Sequence, residues 1–370
     1  MNSKNSHKDI SRLEGCTVIG ALTVTSFVTD AATIVHGPAG CAHQSASMIQ
    51  SSMLYNECYD IPEIFTSAMS EEEIIFGGEE RLRDTIRETV SGGRYKAVFV
   101  IGTCISDTIG DDTGIVCDNA SEEYNIPVIP IDASGFLGGS FEKGFISAIK
   151  GVSELIPPMP TRMTEETDTS AEPEPKQKTV NIIAEKNLEY EVDSNFAEVK
   201  RLLSLLGAGI NIRMARRTTV ADIARFNNAA LNIIRDDPTG AISAHLKSVS
   251  DIPTIERFPA GLSGTIEFLK TAGRLMNLDE KVIEDAVNAE LKNQNEMLAK
   301  FADLKGKKIS FDYFGFQKAD SALLDEIAER AGLRIDIDGA VITVPFYTPV
   351  GTAGVKQMLM QWRRFINGRK

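Results

Sequence analysis

Cysteine is absent from residues 118–370, because all five cysteines of the 370-residue chain lie earlier. An odd, clustered set of this kind is not the disulfide framework of a small secreted protein. Basic residues are also in short supply: 39 Lys and Arg face 52 Asp and Glu, for a net charge of −13. Such a chain lacks the basic surface that nucleic acids and anionic membranes require, so neither is expected as a partner.

Long apolar runs are missing as well. The uncharged stretch 31–56 contains Gly37, Pro38, Gly40 and many serines, and therefore does not predict a membrane span. The polar opening MNSKNSHKDISR predicts no signal peptide. The phosphate-binding motif G-x-x-x-x-G-K-[ST] does not occur. We therefore expect a cytoplasmic protein with reduced thiols and no nucleotide site of its own.

The chain does contain an alternation of strands and helices. Apolar residues make up 42% and charged residues 25%, the balance of a globular protein. Continuous β-branched runs at 97–101 and 126–131 flank a helical stretch at 111–124, which is the order of a βαβ unit with a buried parallel sheet. Similar alternation restarts near residue 180 and near residue 308. The sequence thus predicts α/β architecture, with tandem Rossmann-like, doubly wound parallel-sheet domains.

Composition also predicts where the domains meet. Residues 157–178 are rich in Pro, Thr and Glu and nearly free of large apolar side chains, which indicates an exposed linker. We therefore divide the chain into a first α/β domain (1–156), this linker (157–178), a second α/β domain (179–300) and a short third one (301–370).

Three cysteines have glycine-rich surroundings near predicted strand ends. Cys16 lies in EGCTVIGA, Cys41 ends HGPAGC, and Cys104 lies in GTCISDTIGDD. Thiolates are soft ligands that favour Fe–S clusters, zinc or Cu(I), and nearby glycines leave room for cluster sulfurs. The alternative, that the thiols are small buried hydrophobes, remains open on spacing alone. For Cys58 and Cys117, which match no motif, it is the preferred interpretation.

These stretches resemble the nitrogenase component 1 family, which includes the subunits of dark-operative protochlorophyllide reductase. That family has Cys-x-x-x-Gly-Ala, His-Gly-Pro-x-Gly-Cys, and Thr-Cys followed by Ile-Gly-Asp-Asp; all three occur here. Further similarity lies at 69–78, 135–138, 195–203 and 218–223.

The resemblance implies that Cys16, Cys41 and Cys104 ligate an Fe–S cluster, either [4Fe–4S] or a larger P-cluster-like one. Three thiolates cannot close a four-ligand cluster, so it implies sharing across a subunit interface, in a homodimer or in a heterodimer with a paralogous subunit. It also implies a separate P-loop Fe–S ATPase reductase that delivers low-potential electrons.

The chain departs from the family in its second and third domains. The family's catalytic nitrogenase subunits bind their Fe–Mo cofactor through a further cysteine in the second domain and a histidine in the third. Here no cysteine follows Cys117, and His245 is the only later histidine. No Fe–Mo cofactor is therefore expected, and the third domain is shorter than the family usually has.

Three functions follow as hypotheses. The first is a nitrogenase-like oxidoreductase subunit that reduces a tetrapyrrole, similar to nickel-sirohydrochlorin diamide reductive cyclase. Arg213, Arg216 and Arg217 would then bind substrate carboxylates, although they could equally be surface arginines. The alternative is a non-catalytic scaffold or partner subunit for Fe–S cofactor assembly. The third is an α/β small-molecule binding module with incidental cysteines.

Polar residues beside the cysteines have simpler expected roles. His36 is expected to fix its turn by hydrogen bonding rather than to donate protons. Asp111 and Asp112 are expected at a helix N-terminus, where carboxylates suit the helix dipole.

Overall fold

The computed structural model describes residues 15–55, 58, 61–135, 139–158, 178–189, 191–312, 320–344 and 348–368. Most of the predicted linker therefore lies outside the described residues. Within them, no helix is both long and apolar enough to cross a membrane. The described residues divide into two compact units: an N-terminal unit with residues 15–192 and 210–256, and a C-terminal unit with residues 193–209 and those from Arg257.

The first sheet of the N-terminal unit has the strand order β2-β1-β3-β4. Its strands run parallel, with Ala31 opposite Ala97 and His36 opposite Gly102 across the central pair. Its elements are α1 (Thr17–Thr25), β1 (Ala31–His36), α2 (Ala39–Tyr55), β2 (Ile64–Thr66), α3 (Glu71–Phe76), α4 (Glu79–Val90), β3 (Ala97–Gly102), α5 (Cys104–Ile109), α6 (Thr113–Tyr124), β4 (Val128–Ile131) and α7 (Phe141–Ser153).

The second sheet has the order β6-β5-β7-β8, and β5–β7 and β7–β8 pair in parallel. It belongs to the same N-terminal unit, apart from the first residue of β6. Its elements are β5 (Thr179–Ile183), β6 (Gly209–Arg213), α9 (Val220–Ile223), a 3₁₀ turn (Phe226–Asn228), β7 (Leu231–Ile234), α10 (Ala241–Val249) and β8 (Thr254–Ile255).

The C-terminal unit holds a three-stranded sheet of order β10-β9-β11, also parallel. Trp362 lies in its core, buried and in ring contact with Phe311. Its elements are α8 (Val192–Leu205, from its second residue), α11 (Ser263–Leu275), α12 (Glu280–Ala299), a 3₁₀ turn (Ala302–Leu304), β9 (Lys308–Asp312), α13 (Ser321–Arg330), β10 (Arg334–Ile335), β11 (Ala340–Thr343) and α14 (Gly351–Asn367).

Burial explains why the parallel sheets form. All residues of β3 except its last are fully buried, as expected for a strand covered by helices on both faces. The predicted α/β class with parallel sheets is confirmed. The domain boundaries at 156, 178 and 300 stay predictions, because the structure provides three sheets distributed over two compact units.

Candidate metal centre

All three motif cysteines lie at the beginning of a helix. Cys16 is the N-cap residue of α1 and is exposed, Cys41 lies in the first turn of α2, and Cys104 is the first residue of α5. The first turn of a helix has backbone N–H groups without intrahelical partners, and these favour anionic ligands. Each thiol therefore lies where backbone donors can stabilise a thiolate or a cluster sulfide.

Sheet topology brings two of these cysteines together. Strands β1 and β3 are parallel neighbours, and their last residues, His36 and Gly102, lie opposite each other. Cys41 follows β1 and Cys104 follows β3. Both cysteines therefore emerge at the carboxyl edge of the sheet, where open α/β proteins bind their ligands.

Close packing of two helices positions the third cysteine. A Cβ atom at Gly20 of α1 would lie 2.0 Å from the Phe141 carbonyl oxygen, and one at Gly144 of α7 would lie 1.9 Å from the Thr17 carbonyl oxygen. The Thr17 hydroxyl also donates to the Ala133 carbonyl. Because only glycine allows this approach, α7 fixes the N-terminal end of α1 and with it Cys16.

The pKa of the Cys41 thiol responds to both of the other motif cysteines. Burial raises the pKa of Cys41, and the neighbouring Cys104 and Cys16 raise it further. Cys41 therefore lies close enough to both Cys16 and Cys104 for their thiolates to repel its own. Iron cations would replace that repulsion with attraction, so the donor set fits an Fe–S cluster.

A single metal ion fits less well. Among the described residues, no three His, Cys, Asp or Glu side chains are arranged to hold one ion.

His36 joins the loops that carry Cys41 and Cys104. Its Nδ1 is 3.0 Å from the Ser67 hydroxyl and its Nε2 is 3.0 Å from Asp111 Oδ2. Asp111 Oδ1 in turn accepts the Gly78 N–H at 2.8 Å. Burial lowers the pKa of His36 despite the neighbouring Asp111, so a neutral ring donates from Nε2 to the carboxylate. The expected structural role of His36 is confirmed.

The two aspartates of the GDD stretch have different roles. Asp112 caps α6, accepting the Ile115 N–H at 3.0 Å, as predicted. Asp111 also lies at a helix N-terminus, since it precedes that cap and its carboxylate accepts the N–H of Gly78, the N-cap residue of α4. In addition its side chain, 3% exposed, accepts from His36, 75 residues away in the sequence, which was not predicted. A contact over that separation leaves no local sequence signal.

The predicted substrate arginines all have partners within the chain. Arg213 forms a two-point ion pair with buried Glu185, at 2.7 and 2.8 Å. Arg216 is buried and donates to Asn187 Oδ1 at 2.8 Å, and Arg217 donates to Cys58 Sγ at 2.8 Å. Binding of a substrate by these arginines stays a prediction, and it would compete with these contacts.

Sequence reasoning missed a second ion pair at the same edge of the second sheet. Arg235 follows β7 and forms a two-point pair with Glu189, at 2.6 and 3.1 Å, and both side chains are buried.

The remaining cysteine, Cys117, is fully buried, and burial raises the pKa of its thiol to about 12. A thiol in that setting is a poor ligand at neutral pH.

Exposed apolar side chains lie next to the cysteine loops. Ile75, Phe76 and Ile115 are 71%, 82% and 58% exposed. Two hydrogen bonds join the end of α3 to the start of α6, because Gly78 donates to Asp111 and the Asp112 N–H donates to Glu79 Oε1. Apolar side chains this exposed commonly mark a contact surface for another protein.

Parallel sheets with thiols gathered at one carboxyl edge define an open α/β protein with a cysteine-lined site. The family model of the nitrogenase component 1 type oxidoreductases matches residues 16–311, a range that includes all three motif cysteines. The chain belongs to this family.

Two curated relatives carry the name nitrogenase iron-molybdenum cofactor biosynthesis protein NifE. The one from Methanococcus maripaludis is 28% identical over 321 residues, 85% of this chain and 63% of the relative. The one from Clostridium pasteurianum is 30% identical over 312 residues, 83% of this chain and 64% of the relative. The chain thus spans less than two thirds of their length.

A solved structure has the same fold. The structure described as nitrogenase Cp1 at pH 5 aligns with a TM-score of 0.63, at 22% identity, over 87% of this chain and 63% of that one. At this level of identity the likeness concerns the fold alone.

Proposed function

We propose that the chain is a scaffold subunit on which an Fe–S cofactor is assembled and from which it is passed on. The observation that carries the proposal is the convergence of Cys16, Cys41 and Cys104 at one carboxyl edge, with Cys16 exposed. An exposed ligand favours release, because an incoming acceptor can reach it without opening the fold. The relatives named for cofactor biosynthesis support the same role.

In this proposal the cluster is the cargo. Cys16, Cys41 and Cys104 would hold it, as [4Fe–4S] or as a larger cluster shared with a second subunit, and it would bring an electron store to the site. This chain contributes backbone donors at three helix N-termini. The neutral ring of His36, at the end of β1, hydrogen-bonds Asp111, which follows α5, and so holds the segments that carry Cys41 and Cys104 together.

Reduction of a tetrapyrrole has less support than the scaffold role. The relatives are named for cofactor biosynthesis, and Arg213 and Arg216, expected to bind substrate carboxylates, are committed to Glu185 and Asn187. The ATP-dependent reductase remains part of the proposal, since Ile75, Phe76 and Ile115 offer a partner an apolar surface beside the cysteine loops.

The scaffold proposal predicts transfer of iron without turnover. Protein loaded anaerobically with ⁵⁵Fe and sulfide should pass radioactivity to an apo acceptor protein that binds [4Fe–4S], and iron should leave this chain in proportion. A Cys117→Ser variant should load and transfer like wild type, because that thiol is buried in the core. ATP-dependent reduction of nickel-sirohydrochlorin diamide by the chain and a reductase, with its iron retained, would refute the scaffold role.

A further inference from the structure

The last part of the chain is basic, although the protein as a whole is acidic. Residues 339–370 contain five Lys or Arg and no Asp or Glu, in a chain of net charge −13. This stretch includes β11 and α14 of the C-terminal unit. On α14 the apolar side chains of Met360 and Phe365 are also 44% and 50% exposed. A basic, partly apolar surface on an acidic protein favours contact with an acidic partner.

Strand β11 has a free edge. In the order β10-β9-β11 it has one hydrogen-bonded neighbour. The Val344 N–H, just after β11, donates to the Asp312 carbonyl of β9 at 3.1 Å. Because successive residues of a strand direct their backbone groups to opposite sides, the N–H and C=O groups of Val341 and Thr343 point away from β9. They form no hydrogen bond with another described residue, and such an edge can pair with a further strand.

A cavity of about 370 Å³ lies beside this edge. It is lined by Thr343 of β11 and by Gln361, Arg364 and Phe365 of α14. The neighbouring Arg363 is used inside the unit, since it pairs with Asp303 at 2.7 Å. Arg364 forms no ion pair with a described residue and is exposed. The cavity therefore combines an apolar wall with an available positive charge.

We propose that an extended, acidic segment of a partner protein binds here as a fourth strand, paired with β11. Its backbone bonds the free N–H and C=O groups of Val341 and Thr343, as in other complexes formed by strand addition. One of its apolar side chains packs against Phe365 in the cavity. A neighbouring carboxylate pairs with Arg364, and this contact gives the preference for acidic segments.

The free strand edge distinguishes this occupant from other anionic partners. Lipid headgroups and nucleic acids can pair with basic side chains, but they have no peptide backbone to extend a β-sheet. Edge-to-edge pairing of β11 from two copies of this chain would bring Arg364 no carboxylate, because residues 339–370 contain none. An acidic peptide segment satisfies both the backbone groups and the guanidinium.

Peptide selection on the full-length chain tests the proposal. From a phage-displayed library of random nine-residue peptides, wild type should select peptides that combine β-branched residues with Asp or Glu. Synthetic copies should bind in fluorescence-polarisation titrations. Arg364→Gln should weaken that binding about 10-fold, the effect of losing one hydrogen bond to a charged group. Val341→Pro should weaken it as well, because it removes an N–H that the pairing with β9 does not use.

A matched control lies at the opposite edge of the same sheet. Arg334→Gln on β10 makes an equal change of charge at an exposed residue and should bind the peptides like wild type. If Val341→Pro lowers the thermal unfolding midpoint, the comparison of Arg364→Gln with Arg334→Gln decides alone.

Three results would overturn the proposal. The first is a selection that yields no acidic peptides. The second is peptide binding that Arg364→Gln leaves unchanged. The third is Arg364-dependent binding to vesicles of phosphatidylserine and phosphatidylcholine, or Arg364-dependent dimerisation of the chain, without binding of the selected peptides.

Discussion

Replacing Gly144 with alanine is expected to lower the free energy of unfolding by about 3 kcal/mol, because overpacking at this site involves backbone atoms. The added methyl group would lie 1.9 Å from the Thr17 carbonyl oxygen, so α1 and α7 must move apart. The better helix propensity of alanine recovers only about 0.5–1 kcal/mol. Urea unfolding of the iron-free protein measures this loss.

The same substitution should also reduce bound iron, since α1 begins at Cys16. Gly92→Ala is the matched control, because a Cβ atom there meets nothing within 4 Å. It should change stability by no more than about 0.5 kcal/mol. Wild-type stability and iron content in Gly144→Ala would show that the α1–α7 contact does not position Cys16.

The second large effect is expected at Arg201 in the C-terminal unit. Its guanidinium pairs with Glu198 at 2.7 Å and with Glu290 at 2.8 Å, and both carboxylates are buried. Glu290 also accepts from the Thr352 hydroxyl, and Glu198 accepts the Ala353 N–H at 3.1 Å. One arginine thus compensates two buried charges that tie α8 and α12 to the start of α14.

Arg201→Met should therefore destabilise the protein by about 3 kcal/mol at pH 7. This is the low end of the range for a broken buried pair, because water reaches the partly exposed arginine. Denaturant titration of the variant and wild type at pH 7 measures this loss.

An exposed ion pair provides the control for Arg201. Arg83→Met breaks a contact with Glu79 in which both side chains are at least 40% exposed, and should cost less than about 1 kcal/mol. If Arg201→Met costs no more than this control, the buried network does not stabilise the C-terminal unit as described.

Sequence patterns were sufficient where a continuous apolar run or a helical spacing of apolar residues is present. The stretch predicted as helical at 111–124 contains α6, the run at 97–101 forms all of β3 except its last residue, and the run at 126–131 contains β4. Helices α1 and α2 gave no such pattern. All nine residues of α1 are buried, and α2 is uncharged, so neither shows the alternation of polar and apolar faces on which helix prediction depends.

The cysteine motifs identified the candidate ligands but not their setting. Cys41 and Cys104 follow the ends of β1 and β3, as expected, but the sequence did not predict that each of the three thiols begins a helix. The sequence also could not predict the hydrogen-bond partners of His36 and Arg213, because Asp111 and Glu185 are 75 and 28 residues away along the chain. Tertiary packing, which a single sequence does not encode locally, decides such pairs.

Iron per chain in five cysteine variants, purified anaerobically and reconstituted, tests the central claim most directly. Alanine at Cys16, Cys41 or Cys104 should each lower bound iron and the Fe–S visible absorption. Alanine at Cys58 or Cys117, both buried, should leave them at the wild-type level. A wild-type protein that binds no iron, or iron loss confined to the Cys58 and Cys117 variants, would contradict the assignment.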